Sequence, residues 1–227
     1  MGTDAVVAFY AAAKSHLGKS AYESEIEWQA SRTLDEFTEQ DLLREAAWVI
    51  LCSGFRESVV RNSFSFISMC FFEWESASII SANSQLCRAT ALEAFRNERK
   101  IDAIVRTALY IRSVGFDFYR TEVLQDPVSA LRRLPYIGSV TAYHLAKNLG
   151  ADVAKPDRHL VRFAESQGFG DVHSLCSAIS NATGDPLRLV DLVLWRFLVE
   201  RKRSGKRWGL KSDRFGEERQ DSPEMPC

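Results

Sequence analysis

The sequence predicts an all-α fold, and three observations carry that prediction. Helix-start signals recur along the chain, apolar residues repeat at helical spacing behind them, and alternating apolar–polar runs joined by Asn-Gly or Asp-Gly turns are absent. Taken in order, Thr38-Glu39-Gln40-Asp41 reads as a capping box with Asp41 in place of the usual glutamate. It opens a helix whose buried face includes Leu42, Leu43, Ala46, Val49 and Ile50 and which stops near Gly54. Residues 57–72 and 99–114 read as two further amphipathic helices, the second carrying Ile101, Ile104, Val105, Ala108, Leu109 and Ile111 before Gly115. Asp126-Pro127 and Asp185-Pro186 each place an N-cap before a proline at the first helical position, opening helices over 127–134 and 186–201. A Pro135-Tyr136-Ile137-Gly138 hairpin leads into a helix starting around Ser139, and Asp157 precedes an amphipathic helix with Leu160, Val161, Phe163 and Ala164.

A chain of 227 residues allows one large domain or two small ones sharing a core. With 46% apolar and 26% charged residues it lies far from the composition of disordered chains. The longest clean apolar run, residues 46–52, is too short to cross a bilayer, and Asp4 stands where a secretion signal would be basic. A cytosolic protein without a membrane partner is expected. Five cysteines, at 52, 70, 87, 176 and 227, include no Cys-x-x-Cys pair, which argues against a disulfide framework, a zinc ribbon and a cysteine-ligated iron-sulfur cluster. The four histidines never fall at i, i+4 with a carboxylate partner, so no metal site is expected.

The net charge of −1 hides a polarity. Residues 22–45 hold eight acids against Arg32 and Arg44, whereas residues 131–162 hold six bases against Asp152 and Asp157, a local charge of +4. Residues 195–211 hold seven bases against Glu200. This asymmetry fits either a polyanion partner read by the C-terminal half or a solvated basic face. After Arg201 the chain turns basic and then, from Ser212, acidic, so residues 201–227 are expected to form a flexible tail beyond a helical domain of residues 1–200.

Residues 127–163 are the most specific part of the sequence. Two helices joined by a tight glycine-containing turn leave backbone N–H groups and the positive end of a helix dipole pointing outward together, which suits a phosphate. Leu134, Pro135, Ile137, Gly138, Thr141 and Ala142, followed about twenty residues later by Pro156, Asp157, His159, Leu160 and Arg162, resemble two linked motifs of the helix-hairpin-helix DNA glycosylase superfamily. Endonuclease III and the adenine and alkylpurine glycosylases belong to it. The hairpin (residues 127–149) and the segment 155–163 carry the resemblance, and helix order extends it more weakly from Thr38 to Arg201.

The resemblance implies a two-lobed helical fold with the active site in a cleft between the lobes. It implies double-stranded DNA containing a modified base as partner, and a hairpin gripping the backbone, often through a monovalent cation. Pro135, Tyr136, Ile137, Gly138, Ser139, Thr141, Lys155 and Arg158 are then the candidate DNA-binding residues, and Asp157 is the candidate catalytic residue. A base inside a duplex is unreachable, so excision requires extrusion, and a fixed carboxylate stabilises the oxocarbenium character of the sugar as the base leaves. An aspartate before a helix is also an ordinary N-cap; capping and catalysis are compatible. His159 matches a structural position, and His144 is expected to be surface or packing. Trp28, Trp48, Phe55 and Phe64 can line a base pocket, although aromatics at helical spacing more often belong to a core.

Three departures qualify the resemblance. Tyr136 replaces the first hairpin glycine, so either the turn needs no positive φ there or the tyrosine is adapted to contact the strand. The four-cysteine cluster of endonuclease III is missing, so no iron-sulfur cofactor is expected. Val140 occupies the position of the lysine that forms a Schiff base in bifunctional members, so a monofunctional enzyme of base excision repair is expected, with Lys155 as the alternative amine. The competing readings are a non-catalytic module for damaged or branched DNA, disfavoured by the retained Asp157, and a helical protein-interaction domain. Oxidised, alkylated, deaminated and hypermodified bases all fit the pattern. A monomer is the family's usual state, and the compartment is the cytoplasm with its nucleoid in a prokaryote or the nucleus in a eukaryote.

Overall fold

The computed structural model describes residues 2–203. Thirteen α-helices and two single 3-10 turns, with no strand, make up the described residues. They are α1 (Thr3–Leu17), α2 (Glu23–Ser31), α3 (Glu39–Cys52), α4 (Glu57–Cys70), α5 (Ala77–Ala82), α6 (Ser84–Ala94) and α7 (Glu98–Val114). There follow α8 (Phe116–Gln125), α9 (Pro127–Leu131), α10 (Ser139–Asn148), α11 (Arg158–Ser166), α12 (Val172–Thr183) and α13 (Leu187–Arg203). Two apolar cores divide them into lobes. Helices α3 to α10 build one, around Ile50, Ile67, Phe71 and Trp74. The two ends of the described chain build the other, with α1 and α2 packing on α11 to α13 around Tyr10, Leu17, Leu160 and Val190. The all-α, two-lobed expectation holds.

The local signals explain most of the helix starts. Thr38 Oγ1 accepts the Asp41 N–H at 3.1 Å while the Asp41 carboxylate accepts the Thr38 N–H at 2.9 Å, the predicted capping box, worth about 1 kcal/mol. All five predicted face residues of α3 are buried. Asp126 caps α9 through the Ser129 N–H at 3.1 Å. Gly150 ends the α10 turn at φ +100°, with the backbone of Thr33 so close that a Cβ would lie 2.5 Å from its carbonyl carbon. Only glycine lets the two lobe-crossing segments touch there.

The structure corrects several boundaries. The helix predicted over 57–72 ends at Cys70, because Phe72, Glu73 and Trp74 take φ of +54°, +48° and +64°, a left-handed turn that no right-handed helix continues. That turn buries Trp74, whose indole N–H donates to Ser68 Oγ at 2.8 Å. Leu109 lies off the α7 stripe set by Ile101, Ile104, Ala108 and Ile111, and is 42% exposed. Helix α9 stops at Leu131 rather than Leu134 and closes through tight bonds from Arg133 to Ala130 and from Leu134 to Leu131, since Pro135 disfavours helix at the residue before it. Asp185 does not cap α13. Its carboxylate accepts Tyr10 Oη at 2.7 Å and Lys14 Nζ at 2.6 Å, tying α1 to α13, and burial together with that carboxylate pushes the Tyr10 phenol up. Helix α13 continues through Arg201 and Lys202, so the start of the expected tail is helical; the rest of it, from residue 204, lies outside the described residues.

Candidate active site

The hairpin is a turn of type II geometry. Pro135 supplies its fixed φ, the Ile137 N–H reaches back to the Leu134 carbonyl at 3.1 Å, and Tyr136 sits at φ +68°. The position where the family carries glycine therefore does need positive φ, and tyrosine adopts it here. Gly138 is extended (φ −97°, ψ −174°) and would accommodate a Cβ, whose nearest atom would be Thr141 Oγ1 at 3.8 Å. The Gly138 N–H is already taken by Thr141 Oγ1 at 2.7 Å. The N–H groups of Ser139, Val140 and Thr141 have no acceptor among the described residues and open the first turn of α10. That row of donors, at the positive end of a ten-residue helix, is an anion seat.

Not every candidate contact residue offers its side chain. Ile137 is buried in the core and Thr141 uses its hydroxyl to cap Gly138, so neither presents a free side chain. Pro135 is half-buried, whereas Tyr136, Gly138, Ser139 and Arg158 are exposed. Val140 is 39% exposed on the first turn of α10.

The segment before α11 is held from α13 of the same lobe. Asp191, 1% exposed on α13, accepts the Lys155 backbone N–H at 2.6 Å with one oxygen and the Lys147 ammonium with the other. Two residues further on, Asp157 Oδ1 caps α11 through the His159 N–H at 2.8 Å. Asp157 Oδ2 accepts no hydrogen bond among the described residues, and the side chain is half-buried. The Lys155 ammonium likewise has no hydrogen-bond partner there, and burial, then the Lys147 charge, hold it below the usual lysine range.

Around Lys155 the two lobes meet. His144 on α10 is kept neutral by burial and by the charges of Lys155, Lys147 and Arg196, which place it in the packing between the lobes. The Cys52 thiol at the end of α3 is pushed up to about 12 by burial and by Glu57, which makes it inert as a nucleophile. Arg196 on α13 spans the lobes, donating to Glu25 at 2.8 and 2.6 Å and to Glu57 at 2.6 and 3.0 Å. Its guanidinium also lies 4.8 Å from the ring centroids of Tyr22 and Trp195. Burial by itself would raise the Glu57 pKa, yet Arg196 and then Arg61 hold that carboxyl below its usual range.

The sequence does not single out Asp191, Lys147, Arg196 or Glu57 as residues of the site. One signal was available, since Asp191 interrupts the apolar run Leu189-Val190 and Leu192-Val193-Leu194. Of the aromatic candidates, Phe64 belongs to the core and Trp48 packs edge-on against it at 5.0 Å. Trp28 is half-buried beneath Arg32, and Phe55 is 43% exposed. Among the described residues no group of three or more His, Cys, Asp or Glu can hold a metal ion, and no helix is long and apolar enough to cross a membrane.

No protein-family model matches the sequence, and no curated protein matches it. Solved structures do. The crystal structure of the Methanocaldococcus jannaschii 8-oxoguanine glycosylase/lyase, in complex with a 15mer DNA containing 8-oxoguanine, superposes with a TM-score of 0.54 at 17% identity. That of the Thermotoga maritima 8-oxoguanine DNA glycosylase gives 0.57, also at 17% identity. Each match covers 86% of this chain and 96% of the other. With the hairpin, the half-buried aspartate and the two lobes in place, the chain has the fold of the helix-hairpin-helix DNA glycosylases.

Proposed function

We propose that the chain is a DNA N-glycosylase that flips a modified base out of double-stranded DNA and hydrolyses its N-glycosidic bond, acting as a monomer. The observation that carries this reading is the pairing of two features: the free N–H row of Ser139, Val140 and Thr141, and the Asp157 carboxylate with one unengaged oxygen at the head of α11. The first suits a backbone phosphate and the second a developing cation on the sugar. A monovalent cation at the turn belongs to the same reading. The carbonyl oxygens of Pro135, Tyr136 and Ile137 accept no hydrogen bond among the described residues and are the ones free to hold it. In hydrolysis Asp157 stabilises the oxocarbenium-like sugar while a water adds to its anomeric carbon and the base departs with the bonding electrons. Val140 offers no amine for Schiff-base chemistry, so we assign a monofunctional enzyme that leaves an abasic strand.

The test is a panel of duplexes, each with one modified base and 8-oxoguanine among them, followed by alkali cleavage. Excision of at least one base is expected. Asp157→Asn, which keeps the cap but removes the charge, is expected to lower excision by about a hundredfold or more with duplex binding unchanged. Near-normal turnover in that variant overturns the assignment of Asp157. Borohydride during turnover is expected to trap nothing. A trapped adduct overturns the monofunctional assignment, and its loss in Lys155→Ala names the amine.

A further inference from the structure

Beside the hairpin lies an open cavity of about 530 Å³ lined by Tyr136 and by four residues of α7: Arg99, Asp102, Val105 and Arg106. Its charge is unbalanced. Asp102 pairs with Arg88, whose Nε donates to it at 2.6 Å and whose Nη2 also reaches Glu98 at 3.4 Å, while neither Arg99 nor Arg106 has a carboxylate partner among the described residues. Arg106 makes one long bond, 3.4 Å, to the Asp102 backbone carbonyl. Two guanidiniums therefore face an open groove with no carboxylate bonded to either of them.

The aromatic wall of this groove is held in place at a cost. Tyr136 keeps φ at +68°, a conformation that costs a residue with a Cβ about 1–2 kcal/mol, and its ring is 44% exposed. Under the ring sits the buried Lys100 ammonium, 5.0 Å from its centroid and 5.2 Å from that of Phe55. That ammonium is anchored by the carbonyls of Ile50, Leu51 and Ser53 at the end of α3, and burial lowers its pKa to about 8. A strained backbone, an exposed ring and a buried cation beside that ring form a rigid platform.

We propose that this groove is a second nucleotide subsite: an unstacked base of the bound DNA stacks on Tyr136 while its phosphate lies against Arg99 and Arg106. An aromatic face beside unpaired guanidiniums is the chemistry that takes single-stranded nucleotides with little sequence preference. The inference rests on the DNA-glycosylase reading, because the Ser139–Thr141 donors at the hairpin bring the strand to the groove. It assigns the groove to a nucleotide other than the one excised at Asp157.

The experiment measures binding of the full chain to two fluorescein-labelled undamaged DNAs, a blunt duplex and the same duplex with a single-stranded gap. The gapped DNA is expected to bind about tenfold tighter, as one base–aromatic stack allows. Tyr136→Ala, which keeps the backbone strain and removes the ring, is expected to abolish that preference; Tyr136→Phe keeps it. Arg99→Gln with Arg106→Gln is expected to lower the slope of log affinity against log salt by roughly 0.7, one single-strand phosphate contact. Equal affinity for both DNAs, or an unchanged preference in Tyr136→Ala, overturns the subsite. If Ser139→Glu still weakens binding to both DNAs in that case, the hairpin grip survives and only the groove falls. Absence of binding to either DNA by the unaltered chain overturns the glycosylase reading together with the subsite.

Discussion

At the hairpin, the groups offered to a ligand are backbone donors at the surface, fixed by one turn and one threonine. Along the seam between the lobes the polar groups are charged side chains buried against each other, Lys147 with Asp191 and Arg196 with Glu25 and Glu57. An exposed amide waiting for a phosphate loses little hydration in the free protein, so a hairpin can be built for binding at small cost in stability. A buried ammonium loses most of its hydration and is tolerable only while its partner stays in place. The contrast teaches that the two regions fail differently: changes at the hairpin remove function from a folded chain, and changes at the seam remove the fold that positions Asp157.

The strongest way to break that comparison is Asp191→Asn. It leaves the Lys147 ammonium buried without a counter-charge, at a cost of about 3–5 kcal/mol. In a chain of this size that corresponds to a fall in Tm of roughly 10 °C or more. Adding Lys147→Met should restore much of the loss, because a neutral pair carries no stranded charge. Ser139→Glu, an exposed change, should move stability by no more than about 0.5 kcal/mol. Thermal unfolding of the three variants beside the parent checks this, and equal losses for Asp191→Asn and Ser139→Glu would erase the distinction between seam and hairpin.

Acid titration probes the seam with a smaller effect. Burial and three neighbouring cations lower the His144 pKa well below its usual value, so the folded chain keeps this imidazole neutral where the unfolded chain protonates it. The unfolded state then binds the extra proton, and stability falls as pH drops below about 6.5. The contribution is fully present above that value. His144→Gln should flatten this limb in denaturant midpoints taken from pH 8 to 5. An unaltered limb would assign the acid sensitivity to other groups.

How much was legible follows from how far apart the partners lie. The capping box at Thr38, the Asp126-Pro127 start, the hairpin and the Asp157 cap all close within three residues, so turn and cap chemistry exposes them in the sequence. Lys147 and Asp191 are 44 positions apart, Arg196 and Glu25 are 171, and no local rule pairs them. Helices α1, α2, α5, α6, α8 and α12 were also not predicted from the sequence. Three glutamates among the nine residues of α2 obscure its apolar side, and α2 buries only Ile26 and Gln29. The Lys100 ammonium ends among the backbone carbonyls of Ile50, Leu51 and Ser53, partners about fifty positions away that only the packing brings to it. The sign of φ at Tyr136 was likewise open in the sequence, because a tyrosine there fits either answer until the Leu134–Ile137 bond is seen.

That residue gives the smallest and sharpest comparison, since Tyr136 is the point at which the hairpin, otherwise cheap to build, stores strain. Tyr136→Gly removes the left-handed penalty of about 1–2 kcal/mol, set against roughly 0.5–1 kcal/mol for the greater freedom of glycine in the unfolded chain. The ring's contact with Lys100 is lost as well. The net expectation is a stability equal to that of the parent or up to about 1 kcal/mol above it. Tyr136→Ala keeps the strained φ and loses the contact, and so falls below the parent. Denaturant midpoints should therefore rank glycine at or above tyrosine, and tyrosine above alanine, while affinity for gapped DNA falls in both variants. A ranking with glycine lowest would mean that the ring serves packing against Lys100 more than it strains the backbone, and position 136 would then belong with the seam, as a structural residue at the surface.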